Sequence, residues 1–201
     1  MIRRASIYDV PQMARIINDA AEYGQMLHRS HAYLYEHIRD FKVAKVGNDV
    51  IGVCGLNIVW ANLAEVYALA VSSKHRGKGI GSKLVKAVMA EARRLGLSRL
   101  MTLTYEQRFF ERLGFTVVDR QTLPLKVWSQ CVYCLKNQAC DEIAMIKRIE
   151  GVPDAFEVLN KDELDTLNEP KEHVYEVPVT IKGVAYSTHE DRPLLDTAPV
   201  D

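Results

Sequence analysis

The hexapeptide from Arg76 to Gly81, Arg-Gly-Lys-Gly-Ile-Gly, has the composition of an anion-binding turn. Three glycines at alternate positions destabilise a helix, so they indicate a place where the backbone approaches a ligand closely. An apolar segment precedes the turn and an amphipathic segment follows it, which predicts a strand and then a helix whose N-terminal N–H groups attract phosphate. The turn lacks the Gly-Lys-Ser/Thr of phosphate loops, and its G-x-G-x-G spacing differs from the dinucleotide fingerprint.

Glu65 is a candidate proton acceptor on the strand that leads to this turn. It is the only charged residue in segment 61–71, which is otherwise apolar or strand-favouring. An α-ammonium group has a pKa of about 8, so an amine nucleophile needs a base to remove its proton at neutral pH. The alternative is a strand carboxylate paired with a lysine. We expect the base, because a single carboxylate on an apolar strand needs a compensating role.

Three cysteines near residue 135 have a C-x₂-C-x₅-C spacing. In a reducing compartment, clustered cysteines favour a metal over a disulfide. A histidine, an acidic residue or a partner chain would supply the fourth ligand of a structural zinc site. Buried thiols without a metal are the alternative, and Cys54 is expected to be a small core residue. The candidate zinc ligands are Cys131, Cys134 and Cys140.

The Arg76–Gly81 motif reads R-x-x-G-x-G, which resembles the diphosphate-binding signature of the GNAT superfamily of N-acetyltransferases. Segments 26–42 (M-L-H-R-S onwards), L-T-Y-E-Q-R-F-F-E-R-L-G-F and L-P-L-K-V-W are similar to the stand-alone acetyltransferase-domain type of bacterial N-acetylglutamate synthase. The resemblance covers about residues 1–149 in order. It implies transfer of acetyl from acetyl-CoA, the co-substrate, to the α-amino group of glutamate or a similar amino acid, as in arginine biosynthesis. A protein, peptide or small-amine N-acetyltransferase and a non-catalytic acetyl-CoA-sensing module remain alternatives.

The resemblance also implies roles for particular residues. Glu65 would act as the catalytic base, and one backbone N–H of the following residues would polarise the thioester carbonyl. The strand would separate from its neighbour after this point, so that its backbone can pair with the pantetheine arm. The residues implied to bind the coenzyme are Leu69, Ala70, Val71, Arg76, Gly77, Lys78, Gly79, Ile80 and Gly81.

The proton donor to the leaving thiolate is less clearly marked. Relatives place a tyrosine before the Glu of F-Y-E-x-x-G-F, whereas Phe110 stands there in this chain. Tyr105 is the nearest replacement, and its alternative role is packing. A coenzyme A thiol has a pKa of about 8.5, so departure without a protein acid is also chemically adequate.

Two cations are implied to bind the carboxylates of the substrate. Arg29 matches the arginine before the serine in the synthase segment, and Lys126 lies in the L-P-L-K-V-W segment. Surface charges near loops are the alternative for both. The synthases usually carry basic residues before the last strand, whereas Cys140, Asp141 and Glu142 occupy that place here. Glutamine or another small amino acid therefore remains open as the acceptor.

The pattern of apolar residues predicts the element order β-α-α-β-β-β-α-β-α-β-β and a three-layer α/β/α protein of the α+β class. The first strand is expected over residues 2–8, with Asp9 as the N-cap of the first helix. Ser30 is the expected cap of a short second helix that turns Tyr33 and His37 toward the core. The long helix after the glycine turn should expose Glu91. The resemblance implies the GNAT fold, with a mixed, mostly antiparallel sheet splayed at its centre. The long helix should bury Ile80, Leu84, Val85, Val88 and Ala92.

Charge divides the chain into two parts. Residues 1–149 contain 22 lysines and arginines against 13 acidic residues, whereas residues 150–201 contain 4 against 13. We therefore expect an acetyltransferase domain over 1–149 and an acidic extension over 150–201 that is partly ordered or docked on the basic coenzyme region. The basic residues are dispersed, which argues against nucleic acid as a partner. No apolar run has membrane-spanning length and no signal segment is recognised, so a cytoplasmic location is expected. A homodimer is left open.

Overall fold

The computed structural model describes residues 1–124 and 140–158. Within these residues, seven strands form one open sheet and the element order predicted from the sequence is confirmed through the last strand. The strands are β1 (Ile2–Arg4), β2 (Phe41–Val46), β3 (Asp49–Trp60), β4 (Leu63–Val71), β5 (Arg99–Thr104), β6 (Thr116–Val117) and β7 (Ile143–Arg148). The helices are α1 (Val10–Ala21), α2 (His31–Glu36), α3 (Ile80–Arg94), α4 (Gln107–Glu111) and α5 (Ala155–Val158).

The sheet has the order β1-β2-β3-β4-β5-β7-β6. β2, β3 and β4 form an antiparallel meander, and Gly47 makes the tight turn between β2 and β3 with a φ of +56°. β4 and β5 pair in parallel, because the crossover helix α3 returns the chain to the same end of the sheet. β5, β7 and β6 then pair antiparallel. The mixed, mostly antiparallel sheet predicted from the sequence is confirmed.

Helices cover both faces of the sheet and give the predicted α/β/α layers. α1 and α2 pack on one face through side chains such as Ile17 and Leu34. α3 and α4 pack on the other face through side chains such as Leu84 and Phe110. Each fully buried side chain of this size contributes about 2 kcal/mol to stability. None of the helices in residues 1–124 and 140–158 is long and apolar enough to cross a membrane.

The first strand is shorter than expected, because it ends at Arg4 and residues 7–9 form a 3-10 turn. The Asp9 carboxylate accepts hydrogen bonds from the backbone N–H and the hydroxyl of Ser6 at 2.8 and 2.9 Å. Arg3 donates two more at 2.7 and 2.8 Å. Burial alone would raise the pKa of Asp9, but these hydrogen bonds outweigh it and hold the pKa well below its usual range. Asp9 is the N-cap residue of α1, as predicted, but its side chain makes no capping hydrogen bond to that helix, because its oxygens face Ser6 and Arg3.

The expectation that Glu91 is exposed on α3 was also wrong, because its side chain faces the sheet and not the solvent. Lys42 of β2 is only 6% exposed, and its ammonium group pairs with the Glu91 carboxylate. Arg4 approaches the same carboxylate at 2.9 Å from the neighbouring strand β1. Burial, together with the nearby charges of Arg4 and Arg94, lowers the pKa of Lys42. Glu91 thus joins α3 to β1 and β2 through a largely desolvated ion pair.

The chain after β7 packs back on the sheet. Val152 is buried in the cluster beneath α3. Asp154 accepts hydrogen bonds from the Asn62 amide at 2.8 Å and from the Ser98 hydroxyl at 3.1 Å. Residues 150–158 of the predicted extension therefore contact the domain, and the boundary after residue 149 stays a prediction.

We expect Glu91→Ala to lower the free energy of unfolding by about 3 kcal/mol or more, because Lys42 then remains buried without its counter-charge. Urea denaturation of the two proteins at pH 7 measures this difference. Lys86→Ala, on the exposed face of the same helix, is the matched control and should change stability by less than about 0.5 kcal/mol. Equal stability of the two variants would contradict the ion pair.

Candidate active site

β4 and β5 separate partway along the sheet, as the resemblance implied. Their pairing ends where Glu65 lies opposite Met101. Beyond this point the strands border a cleft of about 1730 Å³. Its walls are formed by β4 and the glycine turn, by the start of α4, and by the segment 20–30 between α1 and α2. The cleft therefore opens between the two central strands of the sheet.

A β-bulge lies on β4 just beyond Glu65. Gly55 faces Tyr67 and Val53 faces Ala70, so two residues of β4, Ala68 and Leu69, lie opposite a single residue of β3. Ala68 has a φ of +47°, which costs an alanine about 1–2 kcal/mol. The bulge interrupts the regular alternation of the strand beside the cleft. Leu69, Ala70 and Val71, which the resemblance assigns to the pantetheine arm, line the cleft.

The glycine turn forms the far end of the cleft. Gly77 and Gly79 both have a φ of +74°, and Gly79 is the N-cap of α3. L-residues with a side chain rarely adopt this conformation, so the turn requires glycine at both positions. The first N–H groups of α3 have no partner within the helix, and Ile80 and Gly81 line the cleft. The turn therefore has the geometry of an anion site at the N-terminus of a fifteen-residue helix.

The basic side chains of the turn take different positions. Arg76 donates from Nε to the carbonyl oxygen of Val71 at 3.1 Å, which ties the turn to the end of β4, and it lines the cleft. Lys78 donates from Nζ to the carbonyl oxygen of Lys74 at 3.2 Å and is not among the residues that line the cleft. The structure thus brings all the residues assigned to the coenzyme to the cleft except Lys78.

Glu65 lies on the floor of the cleft, on the sheet face that carries α1 and α2. Burial raises the pKa of Glu65 to about 7, and the negative charge of Glu142 adds to the rise. A hydrogen bond with Asn57 and the charge of Arg29 oppose it. A carboxylate with a pKa near the working pH is well matched to accept a proton from an ammonium group and release it again.

Arg29 is held over the same cleft by the preceding helix. The Asn18 side chain accepts from the Arg29 backbone N–H at 2.9 Å and donates to its carbonyl oxygen at 3.0 Å. The Arg29 guanidinium carbon lies 4.3 Å from the centroid of the Tyr33 ring. Its charge reaches Glu65, so the structure brings the predicted base and the predicted carboxylate-binding cation together. Lys126 lies outside the described residues.

Tyr105 lines the cleft at the end of β5, across from the bulge. Its hydroxyl donates to Asp141 Oδ1 at 2.9 Å, so its proton points toward a carboxylate. Phe110, at the position where relatives carry a tyrosine, is only 3% exposed and packs edge-to-face on Phe115 with a centroid distance of 5.2 Å. Its ring carries no acid, and the role of Tyr105 as a proton donor stays a prediction.

Two of the four cysteines, Cys54 and Cys140, lie in the part of the chain that the structure describes. Cys54 is fully buried on β3, as expected for a small core residue. Cys140 lines the cleft with its sulfur 3.8 Å from Glu142 Oε2. In the part of the chain that the structure describes, no group of three histidine, cysteine or acidic residues could hold a metal ion. Cys131 and Cys134 lie outside those residues, so the zinc hypothesis stays a prediction.

The helical pattern alone did not indicate that Tyr33 takes part in the site, because it assigns this residue to the core. In the structure Tyr33 lines the cleft beside Arg29, and Tyr67 lines it beside Glu65. Two spacings in the sequence could have indicated these neighbours. Tyr33 follows Arg29 by four residues across a helix start, and Tyr67 follows Glu65 by two residues on one face of a strand.

Comparisons with known proteins agree with the geometry of the cleft. A profile of the Acetyltransferase (GNAT) family matches residues 10–115. The chain is 39% identical over 148 residues to an uncharacterized N-acetyltransferase of Chlorobaculum tepidum, and the match covers 74% of this chain and 96% of that protein. It is 32% identical over 134 residues to the amino-acid acetyltransferase of Mycobacterium tuberculosis, with 65% of this chain and 76% of that protein covered.

A solved structure extends the comparison to the fold. N-acetylglutamate synthase from Neisseria gonorrhoeae, complexed with coenzyme A and N-acetyl-glutamate, matches with a TM-score of 0.67 at 29% identity. The match covers 74% of this chain and 34% of that one, so the present chain spans about a third of the length of that synthase. The similarity therefore concerns one part of the synthase.

We expect Glu65→Gln to stabilise the protein more at pH 9 than at pH 5. Glutamate in an unfolded chain has a pKa of about 4.3, whereas the pKa of Glu65 is about 7 in the folded protein. The stability that this group contributes is therefore complete below its unfolded pKa and is lost as pH rises through about 7. Glutamine cannot ionise and avoids that loss. Thermal unfolding at both pH values measures the effect.

Glu36→Gln, at an exposed position of α2, is the control and should give the same small change at both pH values. A Glu65→Gln variant whose difference from wild type does not depend on pH would show that Glu65 titrates like an exposed glutamate.

Proposed function

The chain belongs to the Acetyltransferase (GNAT) family, and on that basis we propose that it acetylates the α-amino group of glutamate or a similar amino acid. Family membership supports the N-acetyltransferase reaction, with acetyl-CoA as co-substrate. The choice of acceptor is supported by the amino-acid acetyltransferase relative of M. tuberculosis. With glutamate as acceptor the product is N-acetylglutamate, which the resemblance assigns to arginine biosynthesis.

One observation carries the proposal: Glu65 and Arg29 line the same cleft between β4 and β5, and the charge of Arg29 reaches Glu65. An α-amino acid carries an ammonium group and a carboxylate on one carbon atom. A carboxylate with a pKa of about 7 suits the first group, and a guanidinium suits the second, because it binds carboxylates in a bidentate manner. The same pair would not be needed for an acceptor that lacks a carboxylate.

In the proposed reaction, the ionised Glu65 accepts a proton from the α-ammonium group of the bound amino acid. The resulting amine attacks the thioester carbonyl, so that a C–N bond forms, the C–S bond breaks and coenzyme A leaves as its thiolate. The thiolate takes up the second proton, which the nitrogen releases as the amide forms. A backbone N–H within Leu69, Ala70 and Val71 stabilises the charge that develops on the carbonyl oxygen. The thiolate needs no protein acid, since its conjugate thiol has a pKa of about 8.5. Tyr105 is the candidate if a proton is supplied.

The acetyl-CoA diphosphate is assigned to the glycine turn. Gly77 and Gly79 both have a φ of +74°, which lets the backbone of the turn approach a ligand closely, and α3 adds the partial positive charge of its N-terminus. Binding there would align the pantetheine arm with the open edge of β4. The thioester would then lie next to Glu65, because the bulge and the base are only three residues apart on one strand.

A second acceptor class, a peptide or small primary amine, is favoured by one feature of the cleft. The charge of Glu142 reaches Glu65 and contributes to the rise of its pKa. An acidic residue at this place would disfavour a second carboxylate on the acceptor. Within the first acceptor class, the same feature favours glutamine over glutamate, because glutamine carries an amide in place of the γ-carboxylate.

The acceptor is tested by thiol release from acetyl-CoA with glutamate, glutamine and a lysine-containing peptide. We expect glutamate or glutamine to give the highest kcat/KM. Arg29→Gln should raise KM for the amino acid at least about tenfold, because it removes a charge-assisted hydrogen bond to the carboxylate. Turnover of the peptide alone would move the proposal to the second acceptor class. Binding of acetyl-CoA without turnover of any amine would favour a sensing module.

We expect kcat/KM for the amine to increase with pH through about 7, because only ionised Glu65 accepts a proton. Glu65→Gln should lower kcat by about 10²- to 10⁴-fold and abolish this limb of the pH profile. The KM for acetyl-CoA should stay near the wild-type value. Glu36→Gln serves again as the control, and a Glu65→Gln variant with the wild-type pH profile would remove Glu65 from the mechanism.

Gly79→Ala should weaken binding of coenzyme A about tenfold, because the alanine cannot adopt a φ of +74° without strain and shifts the N–H groups of the turn. Calorimetric titration with coenzyme A measures the loss. Gly47→Ala is the matched control, since Gly47 also has a positive φ but lies in the β2–β3 turn. Equal weakening in both variants would show that the effect arises from general strain.

A further inference from the structure

Three side chains spaced four residues apart form one column beside the cleft. Arg29 precedes α2, Tyr33 lies in its first turn and His37 is its C-cap. All three line the cleft and are half-buried. Residues four apart lie on the same side of a helix, which brings these side chains next to one another. The column therefore follows the wall that α2 contributes to the cleft.

The Tyr33 ring is the middle layer of this column. The His37 ring stacks on it with a centroid distance of 4.0 Å and an interplanar angle of 15°. The guanidinium carbon of Arg29 lies 4.3 Å from the same centroid. Two planar groups this close to one centroid would overlap if they shared a face of the ring. The guanidinium and the imidazole therefore lie on opposite faces of Tyr33.

Hydrogen bonds to the backbone fix the three layers. Nδ1 of His37 lies 2.9 Å from the carbonyl oxygen of Tyr33. A carbonyl oxygen only accepts, so the imidazole donates from Nδ1, and this bond orients its ring. The Ser30 hydroxyl accepts from the Tyr33 backbone N–H at 3.1 Å. At the other end of the column, the Asn18 amide pairs with both backbone polar groups of Arg29 at 2.9 and 3.0 Å.

Tyr33 also packs against the buried cluster that covers this face of the sheet. The cluster contains Tyr67 of β4, which is only 8% exposed. The Tyr67 ring covers Gly55 on β3, where any β-carbon would overlap the ring atoms. The Tyr67 hydroxyl donates to Asp40 Oδ2 at 3.1 Å. The middle layer of the column thus rests on a closely packed part of the sheet.

The contact with the Tyr33 ring restricts a flexible cation. An arginine side chain has many rotamers, and immobilising it when a ligand binds lowers affinity. A cation–π contact holds the guanidinium through its charge and uses none of its N–H groups as hydrogen-bond donors to the ring. Arg29 is therefore partly ordered before a carboxylate binds. A cation that is ordered in advance binds a carboxylate more tightly than one that rotates freely.

We propose that Tyr33 and His37 are positioning residues that hold the Arg29 guanidinium for the α-carboxylate of the acceptor, so that the protein selects amino acids over amines without this group. This assignment rests on the proposed function and deepens it, because it names the side chains behind acceptor selection. Tyr33 acts directly on Arg29. His37 acts through Tyr33, by covering the opposite face of its ring.

The test compares kcat/KM for an amino acid with kcat/KM for the amine that remains when its α-carboxylate is removed. Glutamine is paired with γ-aminobutyramide, and glutamate with γ-aminobutyrate. The first value divided by the second is the carboxylate preference. Tyr33→Leu should lower this preference about 3- to 30-fold, as expected for the loss of a cation–π contact. The change should appear in KM for the amino acid, while KM for acetyl-CoA stays constant.

Three further variants separate positioning from general stability. Tyr35→Leu, at an exposed position of the same helix that does not line the cleft, is the control and should keep the wild-type preference. Tyr33→Phe keeps an aromatic face and should retain most of the preference. His37→Ala should lower it about 2- to 10-fold, as expected for the loss of a stacked ring. A merely structural role would lower the melting temperature and both kcat/KM values alike, without changing the preference.

A carboxylate preference in Tyr33→Leu equal to that in Tyr35→Leu would overturn the assignment. The proposed function would remain intact if Arg29→Gln still lowered the preference. Equal losses in Tyr33→Phe and Tyr33→Leu would also overturn the assignment, because the aromatic face would then have no effect. A wild-type protein that acetylates both acceptors equally well, or neither of them, would overturn the proposed acceptor and the positioning role together.

Discussion

The end of strand pairing after Glu65 and Met101 is the constraint on which the rest of the site depends. Before this point β4 is paired on both edges, and beyond it β4 is paired with β3 alone. Backbone polar groups that lose a ladder partner require another one, at about 1–3 kcal/mol for each buried group. The separated edge is therefore suited to an extended polar ligand. It also sets the base at one end of the cleft and the glycine turn at the other.

Two energetically unfavourable features lie on β4. Glu65 is a carboxyl group whose burial raises its pKa to about 7, and Ala68, three residues later, has a φ of +47°. Ionised Glu65 and the backbone of Ala68 both oppose folding, and both lie between two well-packed clusters of side chains. Stable packing elsewhere, including the Glu91–Lys42 pair, maintains them. Such conflicts between local preference and fold are expected at functional sites.

Local patterns in the sequence were sufficient to predict the order of helices and strands and the position of the glycine turn. Alternating apolar residues predicted the β2–β4 meander, and glycine spacing predicted the N-terminus of α3. Interactions between elements that are distant in the sequence could not be predicted from such local patterns. The helical pattern exposes Glu91, but its partner Lys42 comes from a strand 49 positions earlier in the chain. The packing of Tyr33 against the cluster that contains Tyr67 likewise depends on how α2 lies on the sheet, which periodicity does not specify.

The close approach of the Tyr67 ring to Gly55 has a consequence for how such a site can diverge. The two positions are epistatic, because a side chain at 55 is compatible only with a small residue at 67. A lineage must therefore lose the aromatic ring before it can gain bulk on the opposite strand. Once position 55 has been filled, reversion at 67 is sterically blocked. Relatives are therefore expected to carry either an aromatic residue at 67 with glycine at 55, or a small residue at 67 with a larger one at 55.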